Sequence, residues 1–170
     1  MRLEELESIV TSFMDSHTTM TLACCMEDAP WAAAVYYARH ELDLIFFSSP
    51  RSRHCLAFEQ NDRASATIHG EYAGWREIQG LQLEGHVQPI TSSTARIRAI
   101  TSYVKRHPFV REFLSDPLSI GSQAAKKISK VDLYVFRPDA IFYVNNEAGF
   151  GTRWKLDVKL GKAAGTPVLA

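Results

Sequence analysis

The sequence predicts a mainly β protein in which six or seven mostly antiparallel strands form a small barrel with peripheral helices. Short apolar segments bounded by turn residues outnumber the helical patterns along the chain. Strands and helices do not alternate as they would in a parallel, doubly wound sheet. The 170 residues suit one domain with a real core, which we place at residues 1–158. We expect residues 159–170, KLGKAAGTPVLA, to form a flexible tail.

The first half of the chain contains two predicted helices and four predicted strands. Apolar residues at helical spacing predict an amphipathic helix over residues 2–16. Three strands follow, TTMTLACCM, WAAAVYYA and LDLIFF, and the short turns EDAP and ARHE between them favour an antiparallel meander. A second helix is predicted over residues 51–60 and ends at NDR, before a fourth strand, ASATIHG.

The second half continues with one long strand, a helix and two further strands. In REIQGLQLEGHVQPI, Gly80 and Gly85 indicate bulges or bends of the kind that barrel closure requires. TSSTARIRAITSYVKRH is typical of a helix that ends near Pro108, and PFVREFLSDPLSIGSQAAKK indicates short helical pieces and loop. KVDLYVFRP and AIFYVNN are predicted strands, with Pro138 and Asp139 marking a turn between them.

Composition and charge exclude several classes of function. Lys+Arg and Asp+Glu are balanced at 19 each, whereas a general nucleic-acid binder needs a basic excess. The start MRLEELESIV has no apolar signal-peptide core and no apolar run approaches membrane-spanning length, so we expect a cytoplasmic protein without a membrane anchor. The six histidines show no HExxH or paired spacing, so no metal site is predicted. Three cysteines without CxxC spacing are expected to be reduced, buried side chains: Cys24, Cys25 and Cys55.

The stretch SSPRSRH, residues 48–54, is the strongest candidate binding site in the chain. It joins a strand to a helix, and the free N–H groups at a helix start favour an anion such as a phosphate. Hydroxyl, guanidinium and imidazole donors are concentrated there: Ser48, Ser49, Arg51, Ser52, Arg53 and His54. An ordinary helix start is the open alternative, with Ser48 or Ser49 as N-cap, Pro50 at the first helical position and solvated arginines.

Over residues 5–147 the chain resembles the FMN-binding split-barrel superfamily of pyridoxamine 5'-phosphate oxidase. In that family the third strand ends in an aromatic pair and Thr/Ser, Ser-Arg-Lys opens a helix, and an Asn-Pro-Arg-like turn closes it. Residues 46–48 (FFS), 52–54 (SRH) and 61–63 (NDR) match these features. The chain is most similar to the YhbP-like branch of the superfamily, through Arg53-His54, GLQLEGHV and IFYVNNEAGFGTRW.

The resemblance implies FMN as cofactor, bound at the interface of a homodimer where the partner subunit covers it. The backbone around residues 46–49 and the strand WAAAVYY would face the flavin ring, and the phosphate would lie against the helix start. The cofactor-binding residues that the resemblance implies are Phe47, Ser48, Ser49, Ser52, Arg53 and His54. The chain also departs from the oxidase, because residues 33–35 (AAV) replace a phosphate-binding arginine and His54 replaces a lysine. The oxidase's Arg-x-His near the C-terminus is missing too, with Arg153 and Trp154 in that neighbourhood, so pyridoxamine phosphate is not the expected substrate.

Three functional hypotheses follow from the sequence and its resemblance. The first is an FMN-dependent oxidoreductase acting on an unknown small molecule; its catalytic residues stay unidentified because no Ser or Cys nucleophile has a paired base. The second is a flavin carrier or sensor without catalysis. The third is a haem-binding split barrel that uses a lone histidine, His69 or His107. Trp31 is one of several aromatic residues that could line a pocket, and Trp75 and Trp154, predicted to lie in loops, are interface or pocket candidates.

Overall fold

The computed structural model describes residues 1–110 and 131–170. The segment PFVREFLSDPLSIGSQAAKK, predicted as short helical pieces and loop, lies almost entirely outside the described residues. Short 3-10 helices at Trp75–Glu77 and Asn146–Ala148 accompany the longer elements. In chain order these longer elements are α1 (Leu3–Ser16), β1 (Thr19–Met26), β2 (Ala29–Tyr36), β3 (Ala38–His40), β4 (Asp43–Ser48), α2 (Arg53–Gln60), β5 (Arg63–His69), β6 (Gln79–Pro89), α3 (Ser93–Arg106), β7 (Asp132–Asn145), β8 (Arg153–Lys159) and β9 (Lys162–Leu169).

The nine strands of the described residues form one curled antiparallel sheet. Its order is β2-β1-β5-β6-β7-β4-β3, with β8 added to β7 and β9 added to β8. β7 is the organising strand, because its first half pairs with β4 and its second half pairs with β8, while β6 runs along its other edge. β2 and β3 stand at opposite ends of the order and do not pair, which leaves the barrel split. The predicted mainly β, antiparallel split-barrel class is confirmed.

Two hydrophobic clusters lie on opposite faces of the sheet. The main core is enclosed by the curl and receives the buried face of α1, including Leu6, Val10 and Met14. The smaller cluster lies between the outer face and α3 and includes Ala99 and Tyr103. Burying one large aliphatic or aromatic side chain contributes about 1.5–3 kcal/mol, so the main core holds most of the stability.

The side chains of β4 alternate between these two clusters. Leu44 and Phe46 are fully buried in the main core, whereas Ile45 and Phe47 belong to the smaller cluster under α3. This period of two places Ser48, the last residue of β4, on the same face as Phe46. The side chain of Ser48, the first residue of the SSPRSRH stretch, therefore lies on the face of the sheet that encloses the main core.

The predicted turn at Pro138 and Asp139 is wrong, because β7 runs continuously through both residues. The register steps from Glu84 opposite Ala140 to Gly85 opposite Pro138, so Asp139 is the extra residue of a bulge. A proline is tolerated at such a position because no ladder hydrogen bond needs its N–H. The bulge predicted at Gly85 is confirmed by this register shift.

The predicted meander of three strands is also wrong after its first hairpin. β1 and β2 pair through a tight turn in which Glu27 and Asp28 have positive φ values of 50° and 61°. The chain then leaves the sheet edge at Tyr37, which is buried and donates its hydroxyl to the Met14 carbonyl at 2.6 Å. This anchor beneath α1 redirects the chain, so the next strands, β3 and β4, pair with each other and not with β2.

The expected flexible tail at residues 159–170 is wrong as well. β9 pairs with β8 through a turn at Leu160 and Gly161, whose φ values are 52° and 75°. The Gly161 carbonyl accepts a hydrogen bond from the Leu42 N–H at 3.0 Å, which ties the turn to the chain just before β4. Trp154, predicted in a loop, lies on β8 and packs half-buried against the main core. This hairpin and the short β3 account for the strands beyond the predicted number.

None of the helices in the described ranges combines the length and apolar character needed to cross a membrane.

The cysteines are free, and Cys24 and Cys55 are buried. Cys25 is exposed, so the expectation that all three are buried is wrong for this residue. The physical reason is the alternation along β1, which turns the side chains of adjacent residues to opposite faces.

Candidate functional site

The SSPRSRH stretch folds into a compact polar cluster between the end of β4 and the start of α2. The Ser48 hydroxyl lies 2.6 Å from Nε2 of His54 and 3.3 Å from the Ser52 hydroxyl. The Ser52 hydroxyl lies 3.1 Å from the same imidazole nitrogen. Three side chains from two elements therefore converge within hydrogen-bonding distance of one another.

The helix start differs from the ordinary cap that the sequence left open. Ser52 is the N-cap of α2, and its hydroxyl accepts a hydrogen bond from the Cys55 N–H at 3.4 Å. Pro50 precedes the helix, in a turn closed by the Ser52 N–H and the Ser49 carbonyl at 2.9 Å. Because Pro50 lies before the helix, it removes no N–H group from the first turn of α2. The backbone N–H groups of Arg53 and His54 lie in this turn, where an α-helix provides no carbonyl acceptor for them. A cap by Ser48 or Ser49 with Pro50 in the helix is excluded.

His54 contributes a buried, uncharged group to this cluster. It is only 9% exposed, and burial lowers the pKa of its imidazole below the ordinary value. Its ring packs edge-on against Phe58, with ring centroids 6.1 Å apart, which fixes its orientation from the core side. The cluster in the free protein is therefore a set of neutral hydrogen-bonding groups at a helix N-terminus.

The positive charge of the site comes from Arg53, on the solvent side of the cluster. Its guanidinium carbon lies 4.5 Å from the centroid of the Trp31 ring, and both side chains are exposed. Trp31 lies on β2, at the edge of the sheet, so this cation–π contact connects the edge strand to the helix start. From the sequence, Trp31 is only one of several aromatic pocket candidates, because nothing in the spacing links residues 31 and 53.

Two of the residues that the resemblance implied stand apart from the polar cluster. The Phe47 ring packs against Tyr103 of α3 with centroids 4.8 Å apart and perpendicular planes, on the other face of the sheet. The Ser49 hydroxyl accepts a hydrogen bond from the Arg51 N–H at 3.3 Å and shapes the turn. The structure brings together the side chains of Ser48, Ser52 and His54, with Arg53 beside them. Only the backbone of residues 47 and 49 lies next to this group.

The strand WAAAVYY presents an unusually apolar and exposed surface next to α2. β2 is an edge strand, and Trp31 and Tyr36 on it are 41% and 49% exposed. The two alanines between them, Ala32 and Ala34, are exposed as well. No charged side chain lies on β2, so the strand offers a flat apolar surface whose backbone edge is unpaired within the described residues.

The two histidines considered for haem differ sharply in their surroundings. His107 is 3% exposed and its Nε2 lies 2.7 Å from the Tyr37 carbonyl, so this nitrogen is occupied. Burial is the main cause that lowers the pKa of His107. His69 is exposed at the end of β5, with Nδ1 3.1 Å from the Gly70 carbonyl. Across residues 1–110 and 131–170, no group of three or more His, Cys, Asp or Glu side chains is placed to hold a metal ion.

A second exposed aromatic group lies at the far end of the long strands. Trp75 and Phe150 are 52% and 82% exposed, and their ring centroids are 5.5 Å apart. Asn146 holds the two loops together, since its amide donates to the Trp75 carbonyl at 2.7 Å and accepts from the Gly151 N–H at 3.1 Å. Trp75 begins the short 3-10 helix Trp75–Glu77, so its predicted placement in a loop is wrong, and its side chain is exposed at the surface. Arg153 is exposed at the start of β8.

Comparison with known proteins gives one matching family and several relatives. A family model described as pyridoxamine 5'-phosphate oxidase matches residues 6–145. A UPF0306 protein of Klebsiella pneumoniae is 26% identical over 150 residues, which cover 85% of this chain and 90% of the relative. A UPF0306 protein of Pasteurella multocida is 30% identical over 88 residues, covering 51% of this chain and 59% of the relative.

Solved structures with the same fold include proteins whose names mention different cofactors. A haem-binding protein from Mycobacterium smegmatis superposes with a TM-score of 0.66 at 18% identity; the match covers 91% of this chain but 57% of that protein. A putative pyridoxamine 5'-phosphate oxidase from Listeria innocua gives a TM-score of 0.62 at 14% identity, covering 82% and 98%. An FAD-binding protein from Mesorhizobium loti gives 0.58 at 17% identity, covering 77% and 88%. At these identities the likeness establishes the fold.

Proposed function

The chain belongs to the pyridoxamine 5'-phosphate oxidase family, and we propose that it binds FMN and acts as a flavin-dependent oxidoreductase on a small molecule. The observation that carries this proposal is the polar cluster at the start of α2. Ser48, Ser52 and His54 converge within 2.6–3.3 Å of one another beside Arg53, at the joint where the family places its phosphate-binding Ser-Arg-Lys.

The donors of this cluster fit a phosphomonoester. The helix N-terminus supplies N–H groups and a favourable dipole, and the two serine hydroxyls reorient toward an incoming oxygen. Arg53 supplies the planar fork that suits phosphate, and its stacking on Trp31 limits its freedom before the ligand arrives. His54 gives up its contacts with the hydroxyls and becomes a donor to the phosphate, which raises the pKa of its imidazole in the complex.

FMN, when bound, supplies the hydride chemistry, and the protein's residues bind and orient it. The phosphate at the start of α2 fixes one end of the cofactor, and the apolar β2 strand beside it offers a surface for the flat ring. No Asp, Glu, His, Lys or Arg lies on β2, so the chain offers the ring an uncharged surface there.

We further propose a homodimer with the flavin at the subunit interface. Within residues 1–110 and 131–170, β2 has an unpaired strand edge. It also carries the exposed Trp31 and Tyr36, and Phe109, next to Tyr36, is 46% exposed. A second copy that covers this surface would shield the apolar side chains from water and close the flavin site. Sedimentation-velocity measurements test this proposal. A species of twice the chain mass of 19.1 kDa supports it, and a monomer at micromolar concentration with FMN bound contradicts it.

The proposal is tested by the visible absorption spectrum of the purified protein, before and after addition of FMN and removal of the excess. Two flavin bands that stay with the protein support it. A protein that remains colourless after this treatment contradicts it. Turnover with nicotinamide cofactors or a panel of small oxidisable molecules then separates an oxidoreductase from a flavin carrier or sensor without catalysis.

Haem binding is the second candidate, favoured by the structural likeness to the haem-binding protein of M. smegmatis. Of the two histidines considered, His69 is the better ligand because it is exposed, whereas His107 is 3% exposed and its Nε2 engages the Tyr37 carbonyl. A Soret band after addition of haem that disappears in His69→Ala supports this candidate. A flavin spectrum without a Soret band rejects it.

A further inference from the structure

A cleft of about 350 Å³ lies between α3 and the outer face of the sheet. It is separate from the SSPRSRH stretch in two respects. Asp43 and Ile45 line it from the first half of β4, whereas Ser48 ends that strand, ~16 Å from Asp43 and ~10 Å from Ile45 at a rise of ~3.3 Å per residue. The side chain of Ile45 lies on the face of the sheet covered by α3 and belongs to the smaller cluster. The side chain of Ser48, three residues later on the same strand, lies on the opposite face. The cleft is therefore a second candidate site on the other side of the sheet.

The base of the cleft is apolar and well packed. Ile45 and Val135 are direct partners on β4 and β7, and they are 5% and 4% exposed. Ala99 of α3 faces them and is 2% exposed, while Pro89 and Ile90 at the end of β6 form one side. A ligand body in contact with these side chains must itself be apolar.

The rim of the cleft carries an excess of positive charge. Among the described residues, two arginines, Arg98 and Arg137, line it against one carboxylate, Asp43, which leaves these side chains with a formal charge of +1. Nε of Arg137 lies 3.6 Å from the Asp43 carboxylate, and its terminal nitrogen donates to Gln88 at 2.7 Å, so Arg137 is held within the protein. Arg98 has no acidic partner among the described residues and is exposed on α3. His40 and Ser102 add further hydrogen-bonding groups.

We propose that this cleft binds a small amphipathic monocarboxylate, with its apolar body on the base and its carboxylate on Arg98. A volume near 350 Å³ is at the lower end of the range for small-molecule sites, and an apolar lining with a few polar groups is their usual character. The guanidinium fork matches a carboxylate in a bidentate pair. An anion without an apolar body, such as acetate or inorganic phosphate, gains the charge contact but not the burial of apolar surface.

The proposal is tested by NMR titration of the isotope-labelled protein with benzoate. We expect saturable shifts of the amides of Ala99, Ser102 and Val135. Benzamidine, which has the same ring but a cationic group, should leave these amides unshifted, and acetate should bind at least tenfold more weakly than benzoate. Shifts that are equal for benzoate and benzamidine, or benzoate shifts confined to other residues, overturn the proposal, as does the absence of any saturable shift.

Two variants and a matched control identify the site. Arg98→Gln should weaken benzoate binding roughly tenfold or more, because it removes a charge-assisted contact. Ala95→Trp, at the mouth of the cleft, should abolish binding by filling it. Lys105→Gln, an exposed change on the same helix outside the cleft, should leave binding unchanged. Unchanged affinity in Arg98→Gln, with the rest of its spectrum native, contradicts the proposal.

Addition of FMN should not displace benzoate, and competition between the two would place benzoate at the flavin site.

Discussion

Replacing Arg53 with alanine should weaken FMN binding about tenfold. A hydrogen bond to a charged group contributes about 1.5–3 kcal/mol, and each 1.4 kcal/mol is a factor of ten in affinity. We expect the lower end of this range because the Arg53 side chain is exposed and its charge is partly screened by water. Its stacking over Trp31 at 4.5 Å offsets part of this screening, since the guanidinium is already oriented before the phosphate arrives.

The dissociation constant is measured from the quenching of flavin fluorescence at fixed pH and ionic strength. Arg51→Ala is the matched control, because Arg51 lies two residues away, is also exposed and makes no side-chain contact to the polar cluster in the described residues. Trp31→Ala should weaken binding two- to fivefold by releasing Arg53 from its stacked position. Arg53→Lys should fall between wild type and Arg53→Ala, because it keeps the charge but loses the planar fork.

Equal dissociation constants for Arg53→Ala and Arg51→Ala would refute this reasoning and move the phosphate site elsewhere. A loss in Arg53→Ala that FMN and riboflavin share equally would also refute it, because riboflavin has no phosphate for Arg53 to contact. Urea unfolding of the variants without ligand distinguishes a binding defect from a folding defect. We expect stabilities within about 0.5 kcal/mol of wild type, since the substitution is on the surface.

Three further predictions concern pH and stability. An anion that binds next to His54 raises the pKa of an imidazole that burial has lowered, so protons are taken up on binding. FMN affinity, measured by titration, should therefore rise as pH falls from 8 to 6, and His54→Gln should reduce this dependence. Gly85→Ala should destabilise the fold by more than about 3 kcal/mol in urea unfolding, because its Cβ would lie 2.0 Å from the Arg137 carbonyl oxygen. Gly74→Ala, whose Cβ would meet only Oε1 of Glu77 at 4.0 Å, should change stability far less. Burial raises the pKa of Asp43, so its ionisation opposes folding as pH rises above 3.8. Asp43→Asn should gain stability relative to wild type between pH 4 and pH 7, and a constant difference would argue against a raised pKa.

The local parts of the site could be predicted from the sequence. A strand-to-helix joint with hydroxyl, guanidinium and imidazole groups follows from the order of residues 42–60 alone. The contact between Ser48 and His54 depends on the short loop between them, which keeps their side chains close. The contact between Trp31 and Arg53 could not be predicted, because it depends on β2 and α2 meeting at the sheet edge.

The parts of the fold that the sequence missed are those that depend on distant contacts. Pro138 is typical of a turn, but the close approach of Gly85 lets a bulge accommodate it inside a strand. The sequence of β9 lacks a regular alternation of apolar and polar residues and contains Gly165 and Pro167. Its pairing with β8 could therefore not be predicted from a local pattern. The departure of the chain at Tyr37 likewise depends on the packing of its ring beneath α1.

The most direct test of the proposed phosphate site is the ratio of the dissociation constants of riboflavin and FMN for the wild-type protein. The two ligands share the flavin ring and differ in the phosphate. A phosphate held by Ser48, Ser52, Arg53 and His54 predicts that FMN binds at least tenfold more tightly, and that this preference shrinks in Arg53→Ala. Equal affinities for the two ligands, or no binding of either, would contradict the central claim.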